Sequence, residues 1–538
     1  MNGRAGFTGM VVLAGLLGPA GTVRQAAAQQ TADSAITWAA ENEVFYQILV
    51  RSFHDSDRDR IGDLRGIEEE LDYLHDLGVT SLLLTPVNPS PFYHNYFATS
   101  YAGVDPAYGD TTSLRRLVEA VHARGMKIYL DQEIQYAAQD NPWWAQSQGQ
   151  PGSGYGRYIL YHGPGNTQPE PGVFGLSALP TWTGANIGIA TVNLLDSTVV
   201  SYFRTLFASL VDPNHDGRLD DGVDGFRIDH MMDDLDGKGV LKNLFAQFWA
   251  PVFAAARAAN PRVKVIAEQA DWGFGDDWLI RGGADLVYAF PICRAVDSLS
   301  RTGIADAIAE TLRRTPVHKG QLIFIENHDM SRFATVVGGD SRKERVGAAL
   351  VVLLKGTPLI YYGQEIGMKG RQSSAWGSDA NDIPVREAFK WTRNVEDSGS
   401  AIWYRGSGAW WTNRFNRDGD GISVAEERSD SNSLLSFYRR LLALRRSRPD
   451  ILHGDERVVA TDQPDVLAIV RSTREAASIL LVNLSDRPAT ALVARDSLPA
   501  LLGSSLRDLI ANRPVPGSRT NLRVPLEPFA IRLLAPGG

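Results

Sequence analysis

Gly225-Phe226-Arg227-Ile228-Asp229 ends an apolar run that begins at Val223, and its reading decides the fold. Alternate residues of a strand face the same side, so Arg227 and Asp229 point together and Phe226 and Ile228 point the other way. An arginine beside an aspartate keeps the carboxylate ionised. Three further runs end in the same manner: Ile128-Tyr129-Leu130-Asp131, Val265-Ile266-Ala267-Glu268 and Ile325-Glu326-Asn327-His328-Asp329. Polar groups at the C-terminal ends of successive apolar strands are where a parallel (β/α)8 barrel places its chemistry.

Working outward, strand-like runs recur at 44–53, 79–86, 126–131, 223–229, 263–268, 286–290, 322–326 and 358–362. Helix-period segments separate them, such as 64–77, where Ile67, Leu71, Leu74 and Leu77 share a face. Others span 114–124, 240–260 and 342–354. This alternation predicts an α/β TIM barrel. One connection is far too long for a simple loop. Residues 132–193, rich in Gly, Pro, Tyr and Trp, are expected to form an inserted subdomain after the third strand, overhanging the mouth. After a helix at 433–447, strand runs at 466–471, 478–484, 520–525 and 529–534 predict a C-terminal antiparallel β-sandwich domain. The resulting division is 1–28 as a signal peptide, 29–131 and 194–450 as the barrel, 132–193 as the insert and 451–538 as the β domain.

The signal-peptide expectation rests on Arg4, the apolar stretch 6–20 and the small residues Ala26 and Ala28, which make an A-x-A cleavage site. It implies a secreted or periplasmic protein. The apolar run is too short for a permanent membrane span. A net charge of −8 disfavours nucleic-acid and anionic-membrane partners. The one cysteine, Cys293, excludes intrachain disulfides and reads as a buried small hydrophobe. No histidine spacing suggests zinc.

Two carboxyl groups flanking a sugar bond are the minimal machinery of glycoside hydrolysis. Asp229, ionised beside Arg227, suits a nucleophile, and Glu268 at the end of an apolar strand suits a general acid. His328 and Asp329 offer an imidazole and another carboxylate to hold hydroxyls and to stabilise positive charge. Glu133, two residues past Asp131 and on its face, adds a further acid near the mouth.

Beyond these residues the chain resembles the α-amylase family of glycoside hydrolases (family 13) from about Phe45 to its C-terminus. The likeness covers the four strand ends above, Thr85–Gly109 (TPVNPSPFYHNYFATSYAGVDPAYG), Tyr361–Met368 (YYGQEIGM) and Ser433–Pro449 (SLLSFYRRLLALRRSRP). The resemblance implies Asp229 as nucleophile, Glu268 as general acid/base and Asp329 as transition-state stabiliser, with retention of anomeric configuration. It places Arg227, His328, His94, Tyr96, Asp131 and His230 around the sugar. The family's Asn-His pair after the third-strand Asp is replaced by Gln135 and Tyr136, and its Asp late in the insert by Thr191. Two ligands of the family's structural calcium are thus missing together, and the histidine's sugar contact is expected to pass to Tyr136 or be lost. The function expected is a secreted retaining α-glycosidase on starch-type oligo- or polysaccharides. The alternatives are a transglycosylase or isomerase on α-glucosides with the same site, or a non-catalytic sugar-binding relative.

Three Asp-rich stretches read as calcium loops. Asp55, Asp57, Asp59 and Asp63, with the Ile61 carbonyl, alternate hard oxygen ligands in a turning segment. Asp212, Asn214 and Asp216 repeat the spacing, and Asn416, Asp418, Asp420 and Glu427 fit a 12-position loop with Gly421 at its sixth place. The alternative for Asp212 and Asn416 is that they open Asx turns. Among the aromatics Trp182, in the insert, is the candidate sugar platform, while Trp143 and Trp144 suit packing.

Overall fold

The computed structural model describes residues 42–503, 505–516 and 520–537. Eight parallel strands close into a barrel: β1 (Phe45–Ile48), β2 (Ser81–Leu84), β3 (Lys127–Gln132), β4 (Gly225–Met231), β5 (Lys264–Gln269), β6 (Leu286–Tyr288), β7 (Gly320–Ile323) and β8 (Thr357–Tyr361). Each strand pairs with its neighbours in sequence, and β8 returns to β1 with Phe45 opposite Leu359. These are the eight runs read from the sequence, with ends moved by a few residues. The predicted N-terminal signal segment lies outside the described residues.

Local chemistry sets the turns of the barrel. Asp63 and Asp110 cap the helices that follow β1 and β2 by accepting from Gly66 and Ser113 amides. The expected helix 64–77 is two, Leu64–Glu69 and Leu71–Leu77, broken at Glu70 and closed by left-handed Gly78. The expected helix 240–260 starts late, with a π-helical turn Phe245–Trp249 before Ala250–Ala259. Pro251 in the first turn of the latter has no N–H for the i−4 carbonyl, which loosens the ladder there. Gly225 opens β4 where the strands crowd. A Cβ at that position would lie 2.2 Å from the Lys264 carbonyl and 2.6 Å from the Tyr129 ring.

Inward-facing Phe45, Leu83, Tyr129, Ile266, Leu286 and Leu359 fill the barrel interior together with buried Cys293. Its lower end is plugged by an ionic cluster. The Glu43 carboxylate pairs with Lys127, lies 3.0 Å from Lys264 Nζ and accepts the Tyr129 hydroxyl at 3.2 Å.

After β3 the insert builds an antiparallel sheet from Tyr136–Ala138, Asn186–Thr191 and Ala178–Pro180. The Trp143 ring packs on Tyr101, Tyr158 and Phe203, as expected of a packing residue. Lys238, on the turn after β4, ties insert to barrel. Its ammonium lies 2.9 Å from Glu170 and 3.1 Å from Asp236, and donates to the Pro171 carbonyl at 3.1 Å. The C-terminal domain has a six-stranded antiparallel sheet and a second pair, Ala489–Val493 with Leu522–Leu526, over a shared apolar core. Buried Arg471 joins it to the barrel by donating to the Leu353 carbonyl at 3.1 Å. Among the described residues no helix is long and apolar enough to cross a membrane.

Candidate active site

Arg227 is the centre of the upper barrel rim. Its side chain is 0% exposed, and register places it beside Asp131 of β3 and Ile266 of β5. Nη1 lies 2.8 Å from both Asp131 oxygens and 2.6 Å from Asp229 Oδ1. Nη2 lies 2.8 Å from Glu268 Oε2. The strand register shifts between Ala267 and Gln269, a bulge that turns Glu268 toward the mouth. One guanidinium therefore gathers carboxylates from three adjacent strands.

Burial alone would raise Asp229, but Arg227 and His230 outweigh it and hold the carboxyl below its ordinary range. Asp131 behaves oppositely: burial pushes it up despite Arg227. His230 sits in left-handed backbone at φ 38°, and its N–H donates to Glu268 Oε2 at 3.2 Å. Burial would lower its imidazole, yet Asp229, Glu268 and Asp329 together hold it above the usual value.

A directed chain of hydrogen bonds runs across the floor. Gln47 Nε2 meets His328 Nδ1 at 3.1 Å, His328 Nε2 meets the Tyr96 hydroxyl at 2.6 Å, and Tyr96 donates to Asp131 Oδ2 at 2.8 Å. The Nε2 edge of the imidazole turns toward the mouth. Asp329 lies 3.0 Å from that nitrogen and 2.8 Å from Arg386 Nη2. Burial would raise Asp329, but His328 and Arg386 hold it far below the ordinary carboxylate range. The Tyr96 amide donates to His94 Nδ1 at 3.2 Å. Burial and Arg386 depress the His94 imidazole well below its usual value, so it is neutral.

Asp229, Glu268, Asp329, Arg227, His328, His94, Tyr96, Asp131 and His230 thus converge on one mouth. Tyr136 corrects an expectation. It is fully buried, and its hydroxyl donates to Asp236 Oδ1 at 2.8 Å instead of facing a sugar. Trp182 is partly buried against Trp403 and Trp410, part of an aromatic cluster beside Tyr93. The exposed aromatics at the mouth are others: Phe174 at 65% and Trp272 at 42% exposure, on either side of His230 at 5.6 and 6.3 Å between ring centres. Both hold positive φ, 54° and 49°. Sequence reasoning missed them and Arg386, since loops carry no periodicity. Gln47, a polar residue inside an apolar strand, did leave a signal.

The acidic loops diverge. The ligand oxygens of Asp55, Asp57 and Asp63 lie within 4.8 Å of one another, and Asp55 and Asp63 are buried. Three like charges converging on one point fit a hard divalent cation. Asp59 turns aside to accept the Ile61 amide at 2.7 Å. In the 416–427 stretch the expected loop does not form. Asn416 binds Glu387 at 2.7 Å, Asp420 pairs with the Lys390 ammonium, and Asp418 accepts the Val395 amide at 2.8 Å. Glu427 ends a short helix and accepts from Leu435 at 2.9 Å. In the third loop Asn214 and Asp216 cap amides two residues on, at 2.9 and 2.8 Å, as Asx turns do. There Asp212 Oδ2 accepts from Gly217 at 3.2 Å while its Oδ1 is buried without a partner.

The sequence model of the family described as alpha amylase, catalytic domain, matches residues 47–236 and 295–454, the two blocks flanking β5 and β6. Alpha-amylase 3 of Dictyoglomus thermophilum is 28% identical over 469 residues, 83% of this chain and 85% of its own. The 4-alpha-glucanotransferase of Thermotoga maritima is 28% identical over 417 residues, 73% of this chain and 84% of its own. Among solved structures, an alpha-amylase from H. orenii has TM-score 0.75 and 26% identity, covering 92% of this chain and 99% of that one. The family match spans most of the barrel, and the barrel carries the acid cluster at its rim, so the chain belongs to the alpha-amylase family of glycoside hydrolases.

Proposed function

We propose that the protein is a retaining α-glycosidase that cleaves α-glucosidic bonds of starch-type oligo- or polysaccharides through a covalent glycosyl-enzyme. The observation that carries this reading is the Arg227 guanidinium bridging Asp229 and Glu268, at 2.6 and 2.8 Å. One guanidinium spanning both carboxyls favours the short separation of a retaining pair over the ~6.5–9.5 Å gap that admits a water. Asp229, kept anionic, attacks the anomeric carbon while Glu268 gives its proton to the leaving oxygen. Asp329 and His328 hold sugar hydroxyls and stabilise the positive charge that develops on the ring. Glu268, now a carboxylate, takes a proton from water, which attacks the anomeric carbon and releases Asp229. Two inversions leave the α-configuration unchanged.

A second reading, transfer to a sugar instead of water, is favoured by Phe174 and Trp272. Two exposed rings flanking His230 are a platform for an acceptor. Asp55, Asp57 and Asp63 would hold a structural calcium, which supplies charge neutralisation in that loop and takes no part in the chemistry. The Arg4 and A-x-A pattern of the N-terminus supports export.

The test is a product time course on maltose-series oligosaccharides, isomaltose, sucrose and starch, followed by anomeric NMR. α-Configured products are expected first. Products longer than the substrate move the assignment to transfer. β-Products, or no turnover on any of these, overturn the retaining α-glycosidase.

A further inference from the structure

Glu133 has no role in the mechanism above, yet it touches the proposed nucleophile. It follows β3 in the segment Asp131-Gln132-Glu133-Ile134-Gln135 and is 6% exposed. Its carboxyl is gripped at one edge: Oε1 accepts the Gln135 amide at 2.6 Å and the Tyr136 amide at 3.2 Å. Gln135 Nε2 lies 3.3 Å from Glu133 Oε2 and 3.0 Å from the Asp229 carbonyl, clamping the two residues together. The shared Gln135 amide thereby sets the Glu133 side chain against Asp229, whose charge acts on it. Among the described residues no ion pair involves Glu133.

Two buried carboxyl groups in contact cannot both be anions; one keeps a proton and donates it to the other. Arg227 settles which. Its Nη1 is on Asp229, so the charge stays there and the proton stays on Glu133. We propose that Glu133 is a positioning residue whose neutral carboxyl donates a hydrogen bond to the Asp229 carboxylate, fixing its orientation and its charge. The directions agree: burial and then Asp229 push Glu133 well up, and that same hydrogen bond helps to hold Asp229 down.

The need for a second donor is visible in the geometry. Arg227 Nη1 is divided between Asp229 and both oxygens of Asp131, so the nucleophile does not have the guanidinium to itself. As the glycosyl-enzyme breaks down, charge returns to Asp229 and the Glu133 hydrogen bond strengthens with it. The donor therefore favours departure of the sugar, while before attack it serves by keeping Asp229 anionic and oriented.

Other charged groups face the pair and are constant across the test. Asp229 is faced by Arg227 and His230 of β4, by Asp329 after β7, and by Glu268 across Arg227. From the other side Asp131, Tyr136, His94 and Tyr96 also feel its charge. Glu133 is faced in addition by Tyr101.

This inference rests on Asp229 being the nucleophile, and the experiment separates the two. Glu133→Val removes the donor; Glu133→Gln replaces it with an amide that still donates. The acid limb of kcat/KM is expected to move upward by about one pH unit or more in Glu133→Val, with kcat down roughly 10- to 100-fold. In Glu133→Gln the limb is expected to stay within a few tenths of a unit of wild type. A limb unmoved in Glu133→Val, or moved as far in Glu133→Gln, overturns the positioning role. Should Glu133→Val not fold, infrared difference spectra decide: the wild type at pH 7 has a neutral carboxylic-acid carbonyl band that Glu133→Gln lacks. An identical spectrum in the two overturns the proposal. Trapping with a fluorinated α-glucosyl fluoride and mapping the labelled peptide tests the premise. Label on Asp229 with unmoved limbs sinks Glu133 alone, whereas label on another carboxylate sinks the nucleophile assignment and Glu133 with it.

Discussion

The two ends of the barrel bury ionic clusters with the signs exchanged. Below, one carboxylate, Glu43, lies between the ammoniums of Lys127 and Lys264. Above, one guanidinium, Arg227, lies among the carboxylates of Asp131, Asp229 and Glu268. The lower cluster relieves its surplus of positive charge into water, since Lys127 is one-third exposed. The upper one has no such outlet. It is short of positive charge in a site largely closed to solvent, and the sugar becomes a cation in the transition state. The same residue types thus plug one end and await a partner at the other.

The sharpest way to break this comparison is to neutralise one acid at each end. Asp229→Asn and Glu268→Gln are expected to lower kcat by ~10⁴-fold or more, with Tm lowered far less than in Glu43→Gln. Glu43→Gln is expected to do the reverse, keeping kcat and costing about 3–5 kcal/mol of stability, because the buried Lys264 ammonium then loses its carboxylate. Turnover and thermal melts on the three variants settle it. A Glu43→Gln protein that loses turnover at wild-type Tm would mean that the two ends are not separable.

A smaller effect is expected where the mouth meets solvent. Phe174→Ala and Trp272→Ala remove exposed rings that nothing in the fold requires. Stacking on one ring is worth roughly 0.5–1.5 kcal/mol, so KM for oligosaccharides should rise roughly three- to tenfold. kcat on an aryl α-glucoside should hold, since that substrate does not reach an acceptor platform. Unchanged KM on oligosaccharides in both variants removes the platform reading and with it the support for transfer.

The upper cluster was legible in the sequence because it obeys a period. Arg227 and Asp229 are two residues apart on a strand, and barrel topology brings the ends of β3, β4 and β5 together without further information. What escaped depended on contacts the chain makes at long range. Arg386 reaches Asp329 from 57 residues away. Phe174 and Trp272 arrive on irregular loops, and Tyr136 is drawn to Asp236, 100 residues on. The metal loops teach the same lesson. An Asx turn and a calcium loop share one sequence pattern, and what separates them is the neighbourhood. Lys390 neutralises Asp420 in one loop, while Asp55, Asp57 and Asp63 face one another in another.

That contrast is itself testable. A calcium-dependent rise in Tm is expected for the wild type, about 2.7 kcal/mol when the ion is 100-fold above its Kd. Asp55→Ala should abolish the rise and Asp418→Ala should leave it intact. Loss of the increment in Asp418→Ala alone would reverse the assignment of the two loops.

The mildest prediction separates the mouth from the acids that support it from behind. Burial raises Glu427 to about 8 and Glu344 to about 7, and Glu365 lies among the charges that Glu427 feels. For a carboxyl raised in the folded state, the proton is held more tightly folded than unfolded. Its contribution to stability is full below the ordinary glutamate value and drains away as pH climbs through about 8 for Glu427. Asp229 and Asp329, held low by cations, contribute above the ordinary aspartate range and lose that contribution only as pH falls below it. The two regions therefore govern opposite limbs of the stability profile. Glu427→Gln keeps an oxygen for the Leu435 amide and cannot ionise, so it should add about 1–3 kcal/mol at pH 9 and little at pH 5. Thermal melts across that interval measure it. A variant whose Tm declines above pH 7 in parallel with the wild type would transfer the alkaline limb from Glu427 to Glu344 and leave the acid limb with the mouth.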